Sequence, residues 1–341
     1  MQISRELEQI LLKVQKPARY IGGETNAVLK DLSKVDVRFA FCFPDTYEVG
    51  MSHLGMKILY SLFNNVEYIW CERVFAPWID MEAQMRKHNI PLYALESGDS
   101  LTAFDFIGFT LQYELSYSNM LNMLQLAGIP LKAKDRHGLF NIVVAGGPCA
   151  CNPEPLAEFV DLFFIGEGEQ VDLEVLQLYR QCKKTHCSKA EFLQKASQIE
   201  GVYVPSLYDI TYNPDGTIQR IAAKNGAPPT VKKRLITDMD HLYYPEKFVV
   251  PMIEIVHDRA VCEIFRGCIR GCRFCQAGFL YRPVREKSPE VIDTQCHALC
   301  KNTGYDEVSL SSLSSSDYSQ ITALLTRLSD WSEKEKVSLS L

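Results

Sequence analysis

The sequence has no apolar segment long enough to cross a bilayer. Its first twenty residues, MQISRELEQILLKVQKPARY, carry charges throughout and lack the continuous apolar core that a secretory signal requires. It also has no block of basic residues, because 36 Lys and Arg are spread among 42 Asp and Glu, with a net charge of -6. These absences argue against export, a membrane span and a dedicated nucleic-acid surface. We expect a cytoplasmic protein.

Cysteine, by contrast, is frequent. Twelve cysteines in 341 residues, without an export signal, indicate a reducing compartment in which thiols stay free for metal binding or chemistry. The length and the 47% hydrophobic content allow two domains, each with a core of its own.

Short apolar runs alternate with helical patterns in the first half of the chain. The predicted strands are 37–43, 68–71, 92–95, 106–109, 141–145 and 162–165, and the predicted helices are 54–63, 81–88, 118–127 and 167–182. Strands separated by helices pair in parallel, so the pattern predicts an α/β fold with a doubly wound parallel sheet. We divide the chain into an N-terminal helical segment (1–34), this α/β domain (35–185), a linker with a short β-hairpin (186–250) and a second βα series (251–341).

Three cysteines lie close together in the second βα series. Cys268, Cys272 and Cys275 have the spacing C-x3-C-x2-C, so that one tight loop supplies three thiolates. A cubane iron-sulfur cluster held by three cysteines leaves its fourth iron open to an exogenous ligand. Nearby glycines allow close wrapping of the backbone, and nearby arginines favour the thiolate forms. The spacing therefore predicts a [4Fe–4S] cluster with an open iron.

A structural zinc site is the main alternative, but it needs a second close pair of ligands. The local candidates are Cys296, His297 and Cys300, about twenty residues downstream. They fall in a predicted helix, where a C-x3-C pair is more typical of packing. The sequence favours the cluster over zinc.

The motif resembles that of the radical S-adenosylmethionine (SAM) superfamily, including an aromatic residue, Phe274, directly before the third cysteine. The resemblance implies that SAM binds the open iron. It also implies that a donor such as flavodoxin or ferredoxin supplies an electron through the cluster, and that the 5′-deoxyadenosyl radical abstracts hydrogen from an unknown substrate. Phe274 and Gly278 become candidate cofactor contacts.

The resemblance also implies the first part of a TIM-like barrel. Its first strand would be 253–256 or 261–265, followed by the cysteine loop, a helix at 289–301 and a second strand at 307–310. Members of the superfamily commonly hold the SAM amino group through a Gly-Gly-Glu stretch after this second strand. Here the candidates in its place are Ser311, Ser312 and Asp317. The alternative interpretation of these residues is a helix cap and turn.

A closer resemblance covers nearly the whole chain. It is to a poorly characterised family of radical SAM proteins with an N-terminal cobalamin-binding-like domain, which implies a Rossmann-like fold for 35–185. The segments that carry it are Lys16–Gly23, Cys71–Trp78, Gly108–Glu114, Ala145–Cys149, Gly166–Glu169 and Cys275–Arg285.

Cobalamin itself is one of two interpretations of that domain. The lower-ligand motif is D-x-H-x-x-G, and the corresponding stretch runs from Asp45 to Gly50 with Tyr47 in the histidine position. Cobalamin would then bind with its own base or with none on cobalt, and the turns at Gly146-Gly147 and Gly166 would line its nucleotide tail. The other interpretation is a Rossmann-like domain that kept its fold without the cofactor. Cobalamin-assisted methyl transfer is accordingly one possible subtype of activity.

Cys42, Cys149 and Cys151 lie at or just past the ends of predicted strands, where a second cluster forms in radical methylthiotransferases. No C-x2-C pair supports that assignment, so buried packing is the stronger interpretation.

The second βα series is short for a barrel. Its 91 residues hold about three βα units at roughly 30 residues each, whereas a full barrel takes about 250. We therefore expect a truncated barrel that comes from a fragment, a split gene or a disrupted reading frame, with a second chain as one way to complete it. A non-catalytic remnant that keeps the cluster loop is the alternative to an enzyme.

Overall fold

The computed structural model describes residues 5–341, so the first four residues of the predicted N-terminal helical segment lie outside the described residues. The segment begins with α1 (Arg5–Leu11), which buries Leu7, Ile10 and Leu11, and continues through two short 3-10 turns. None of the helices between residues 5 and 341 is both long and apolar enough to span a membrane.

The chain forms two compact units. The first contains the chain up to residue 23 together with 28–50 and 63–235, and the second contains 24–27, 51–62 and 236–341. The domain boundaries expected from the sequence stay a prediction.

A six-stranded sheet forms the centre of the first unit, in the order β2-β1-β3-β4-β5-β6. Its first five strands pair in parallel and β6 is antiparallel to β5. The strands are β1 (Val37–Phe43), β2 (Ile69–Phe75), β3 (Phe106–Thr110), β4 (Ile142–Gly146), β5 (Leu162–Phe164) and β6 (Val202–Tyr203). The helices of this unit are α2 (Tyr47–Ser52), α4 (Ile79–His88), α5 (Tyr117–Leu126), α6 (Gly168–Lys184) and α7 (Lys189–Ala196), whereas most of α3 (Leu54–Asn64) belongs to the second unit. The predicted α/β fold with a doubly wound parallel sheet is confirmed.

One predicted strand, 92–95, is wrong. The segment is buried, but it makes only an isolated antiparallel bridge between Tyr93 and Ser100. The amide of Ala94 donates to the carbonyl of Asp99 within a local turn, whereas those of Leu92 and Leu95 donate singly to the carbonyls of Leu126 and Arg73. The apolar run correctly indicates that this segment is buried, but it does not show whether the segment pairs with a neighbouring strand.

Aromatic residues fill the space beside the central strands. Phe39 on β1 packs against Phe106 on β3 with ring centroids 5.9 Å apart, and Phe106 meets Tyr179 of α6 edge-on at 4.6 Å. The Tyr179 hydroxyl donates to the Asp105 carboxylate at 2.8 Å, which satisfies its polar atom in the core. Gly108, on β3, leaves room for the Phe39 ring.

After β6 the chain forms an antiparallel hairpin of β7 (Tyr208–Tyr212) and β8 (Ile218–Ala223). It falls inside the segment for which the sequence predicts a hairpin.

The second unit is built on a three-stranded parallel sheet in the order β13-β12-β9. Its elements are β9 (Ala260–Glu263), β10 (Phe265–Arg266), α8 (Ala277–Leu280), β11 (Arg285–Glu286), α9 (Pro289–Thr303), β12 (Glu307–Ser311), α10 (Ile321–Glu335) and β13 (Ser338–Ser340). Of the two candidate first strands, the later one, 261–265, contains most of β9. Strands joined by α9 and α10 have the βαβαβ order of a TIM-like barrel's beginning.

The glycine at 108 provides a test of the sheet packing. A Cβ placed there would lie 2.2 Å from Cζ of Phe39, whose ring is fixed by its aromatic neighbours. We expect Gly108→Ala to lower the free energy of unfolding by about 1–3 kcal/mol because of overpacking. Gly146→Ala is the matched control, since its Cβ would make only an ordinary contact at 3.7 Å. Equal effects of the two substitutions in chemical denaturation would contradict this account.

Candidate metal centre and cofactor sites

The cysteine loop starts where the second unit's first strand ends. Strands β10 and β11 pair at its base, with Phe265 opposite Glu286 and Arg266 opposite Arg285. Gly267 has φ +94°, and a Cβ there would lie 2.7 Å from the Pro283 carbonyl oxygen. Only glycine fits this turn, because both the backbone conformation and the close approach exclude a side chain. The two ends of the loop are therefore held together at its base.

The three motif cysteines are free thiols on this loop. Cys268 and Cys275 are half-buried, and Cys272 is exposed. The amide of Cys275 donates to the Cys272 carbonyl at 3.1 Å, so the second half of the motif is already a turn. Three free thiols in an accessible loop suit iron-sulfur ligation in their chemistry.

The side chains are not gathered into a ready-made coordination sphere. Between residues 5 and 341, no three His, Cys, Asp or Glu side chains converge closely enough to hold a metal ion. A cluster bound here would have to draw the three sulfurs together, and their accessibility leaves the loop free to do so.

Two predicted cofactor residues on the loop have different environments. The Phe274 side chain is 93% exposed. Gly278 is buried in α8, although a Cβ there would meet nothing within 4 Å. Their roles as cofactor contacts stay predictions.

The serine-rich segment after β12 forms a hydrogen-bonded turn. The Ser312 and Ser315 hydroxyls lie 2.9 Å apart, and Ser314 Oγ donates to the Asp317 carboxylate at 2.8 Å. Ser311 ends the strand, and its carbonyl accepts from the Ile264 amide. The turn interpretation accounts for these contacts, and SAM binding by Ser311, Ser312 or Asp317 stays a prediction.

An ion pair joins the serine turn to the cysteine loop. Arg270 donates to both carboxylate oxygens of Asp317, with 2.6 Å between Nε and Oδ2. The Arg270 guanidinium holds the pKa of this carboxyl below its usual range. This contact has no local signal in the amino-acid pattern, because the two residues are 47 positions apart. It makes Arg270 and Asp317 the link between the loop and the strand end.

The zinc candidates lie elsewhere in the second unit. Cys296 and Cys300 are buried in its core, and the Cys296 thiol shares a hydrogen bond with Cys262. His297 Nε2 lies 3.2 Å from the Glu335 carboxylate. These contacts agree with helix packing.

In the first unit, the position expected for a cobalt ligand is part of the core. Tyr47 is only 1% exposed and packs edge-on against Phe75 at 5.3 Å. A Cβ at Gly50 would lie 2.3 Å from the same Phe75 ring, so this glycine serves packing. Neither residue is presented to a ligand.

The glycine turns after β4 and β5 are also filled by the chain itself. A Cβ at Gly147 would lie 2.6 Å from the Leu111 carbonyl oxygen, and one at Gly166 would lie 2.2 Å from that of Arg234. Gly166 also forms a parallel bridge with Arg234. Close backbone approach explains both glycines, and Gly146 has ordinary packing against Phe164. Their role in lining a nucleotide tail stays a prediction.

A contact that the sequence did not indicate spans the crevice between the ends of β1 and β3. The strand order reverses at this place, which is where open α/β sheets bind ligands. The Tyr113 hydroxyl donates to Asp45 Oδ2 at 2.9 Å, and Asn119 donates to the Pro44 carbonyl. The hydrogen bond to Asp45 raises the pKa of Tyr113.

The cysteines considered for a second cluster have different environments. Cys42 and Cys149 are buried, whereas Cys151 is exposed. Burial raises the pKa of each of the three thiols. Such thiols are poor metal ligands and are typical of packing.

Comparison with known proteins shows what the chain resembles. Residues 55–205 match the family model for the N-terminal part of radical SAM proteins. This segment of the chain is therefore similar to radical SAM proteins.

One curated relative is an uncharacterized protein of Methanocaldococcus jannaschii. It is 28% identical over 293 residues, which cover 85% of this chain and 52% of the relative. The chain therefore spans about half the length of that relative.

Two solved structures have a similar fold, and both are of TsrM, a radical SAM methyltransferase from Kitasatospora setae. The one with cobalamin and a [4Fe–4S] cluster has a TM-score of 0.53 and 11% identity over 89% of this chain and 55% of TsrM. The one with tryptophan and a SAM analogue has a TM-score of 0.52 and 12% identity over 89% of this chain and 54% of TsrM.

The ion pair on the cysteine loop yields a prediction about loop opening. Trypsin cleaves after Arg270 and Arg273 only when the loop opens, and Asp317→Asn removes a charged tie that holds it. We expect this variant to be cut in the loop a few-fold faster than the unsubstituted chain. Asp330→Asn, on the solvent face of α10, is the control and should leave the rate unchanged. Identical rates for both variants would show that the ion pair does not restrain the loop.

Proposed function

We propose that this protein is a radical SAM enzyme in which Cys268, Cys272 and Cys275 hold a [4Fe–4S] cluster. The observation that carries the proposal is the set of three free thiols on one loop, directly after the first strand of a βαβαβ unit. The match of residues 55–205 to the N-terminal family model of radical SAM proteins supports the same assignment. When bound, the cluster and SAM together would supply a 5′-deoxyadenosyl radical that abstracts hydrogen.

The chain's own residues would present and orient these groups. Gly267 closes the base of the loop, and the Arg270–Asp317 pair fixes the loop against the end of β12. Asp317 already has Arg270 and Ser314 as partners, and Ser312 Oγ contacts Ser315 and the Ser314 amide, so we favour Ser311 for the SAM amino group. We propose 35–185 as a Rossmann-like domain and 251–341 as the barrel portion. A reduced flavodoxin or ferredoxin in the cytoplasm is the proposed electron donor, and a second chain is the proposed complement of the barrel.

Cobalamin-assisted methyl transfer is a second candidate, which the similarity of fold to TsrM favours. The buried Tyr47 and the filled turn at Gly166 do not fit a cobalamin cradle. We therefore assign no step to cobalamin.

Anaerobic reconstitution with iron and sulfide tests the cluster. We expect roughly four irons per chain and an electron paramagnetic resonance signal that SAM perturbs. Replacing any motif cysteine by serine should abolish the signal, because each is one of only three protein ligands. Cys151→Ser is the matched control, since it removes an exposed thiol elsewhere and should keep the cluster.

The same experiment separates the alternatives. Release of 5′-deoxyadenosine after reduction supports an enzyme. A cluster that is indifferent to SAM supports a non-catalytic remnant, and tightly bound zinc without a cluster overturns the proposal.

Equilibrium dialysis against hydroxocobalamin tests the second candidate. Because the turn at Gly166 is occupied by Arg234, we expect no retention above that of a protein without a Rossmann-like domain. Stoichiometric retention with a changed visible spectrum would instead establish a cobalamin site and require the segment around Arg234 to move.

A further inference from the structure

The junction between α6 and α7 brings two cysteines into contact. The amide of Thr185 donates to the Gln181 carbonyl and that of Cys187 to the Cys182 carbonyl, both at 3.0 Å. His186 between them has φ +55°. This is a Schellman motif, which places the side chains of Cys182 and Cys187 against each other at the helix end.

A contact of this kind is often only hydrophobic packing, but the surroundings of Cys187 are polar. Lys195 Nζ donates to its sulfur at 3.4 Å, and Thr185 Oγ1 lies 3.2 Å from the same atom. Cys187 is half-buried, and Lys195 is exposed. A thiol that is accessible and faces an ammonium group has the features of a reactive cysteine.

The two thiols also differ in acidity. Hydrogen bonds from Thr185 and Cys182, together with the charge of Lys195, lower the pKa of Cys187. Burial raises the pKa of Cys182 to about 11, and its side chain is only 1% exposed. The accessible thiol is thus the nucleophile, and the buried one lies beside it in position to resolve a mixed disulfide.

We propose that Cys187 and Cys182 form a reversible disulfide by exchange with a low-molecular-weight disulfide, in a site separate from the cysteine loop. The Cys187 thiolate attacks one sulfur of the small disulfide RSSR, forms Cys187–S–SR and releases RS⁻, which takes up a proton. The Cys182 thiol then loses its proton and attacks the Cys187 sulfur, forming the internal disulfide and releasing the second RS⁻. The two cysteines lose two electrons, and RSSR gains them to become two thiols.

The sequence makes the product easy to identify. Trypsin cleaves after Arg180, Lys183, Lys184 and Lys189, so the disulfide would join the peptides 181–183 and 185–189. We propose to treat the reduced full-length chain with oxidised glutathione, quench it in acid, block free thiols and map every cysteine by mass spectrometry. We expect glutathione first on Cys187 and then the linked peptides.

Reaction rates test the nucleophile directly. Cys187 should be alkylated on the order of ten-fold faster than Cys151, which is exposed but has a raised pKa. Lys195→Met should slow Cys187 a few-fold, because it removes the ammonium that stabilises the thiolate. Lys184→Met is the matched control, since its exposed side chain lies near Asp36 and not near the thiol.

Two further variants separate exchange from packing. Cys182→Ser should stop the reaction at the glutathione adduct of Cys187, whereas Cys187→Ser should leave Cys182 unmodified. If Cys187 reacts no faster than Cys151, or if the unsubstituted chain never yields the linked peptides, the pair is a packing contact and the proposal is wrong. Neither outcome depends on the iron-sulfur proposal, because the readout is specific to these two residues.

Discussion

The candidate metal centre depends on one constraint, which is that a single loop must present three thiols while both of its ends stay anchored. Gly267 meets that constraint at the base, where the backbone turns at φ +94° directly against the carbonyl of Pro283. The short β10–β11 pair then continues into Lys287, whose amide donates to the Ile264 carbonyl. A side chain at position 267 would separate these segments and move the cysteines away from the strand end. The geometry of the loop thus follows from backbone packing before any metal is considered.

An ion pair adds to the backbone contacts that hold the cysteine loop. Cys272 is exposed, so the loop's outer part has little apolar burial to hold it. The Arg270–Asp317 pair supplies a directional tie in its place, with the planar guanidinium donating to both carboxylate oxygens. The same pair engages Arg270 near the thiols, so the positive charge beside them is partly balanced. Arg270, which the sequence suggests as a positive charge beside the cluster, thus also restrains the loop.

Much of the fold could be predicted from the sequence because its signals are local. The strand 37–43 was predicted with the bounds that the structure shows, since an apolar run ending at Pro44 specifies a buried strand. The run at 92–95 has the same apolar character, yet its amides donate to Leu126, Asp99 and Arg73 and form no ladder, a difference that the apolar pattern does not encode. Contacts between distant residues leave no local signal. The close approaches of Leu111 to Gly147 and of Arg234 to Gly166 are therefore not visible in the sequence, and a cofactor role of these glycines stays a prediction.

An α/β fold that often binds a cofactor can stay folded when the chain's own backbone lies against the turns at its strand ends. The first unit is stabilised by its own aromatic core, in which Phe39, Phe106 and Tyr179 pack across the sheet and α6. Because that packing requires no ligand, nothing in it would be lost if the strand ends were closed by protein backbone. The crevice between β1 and β3 is closed differently, by side-chain hydrogen bonds from Tyr113 to Asp45 and from Asn119 to the Pro44 carbonyl. Side chains can change rotamer without unfolding the backbone, so this crevice is easier to open than the glycine turns, where backbone lies against backbone.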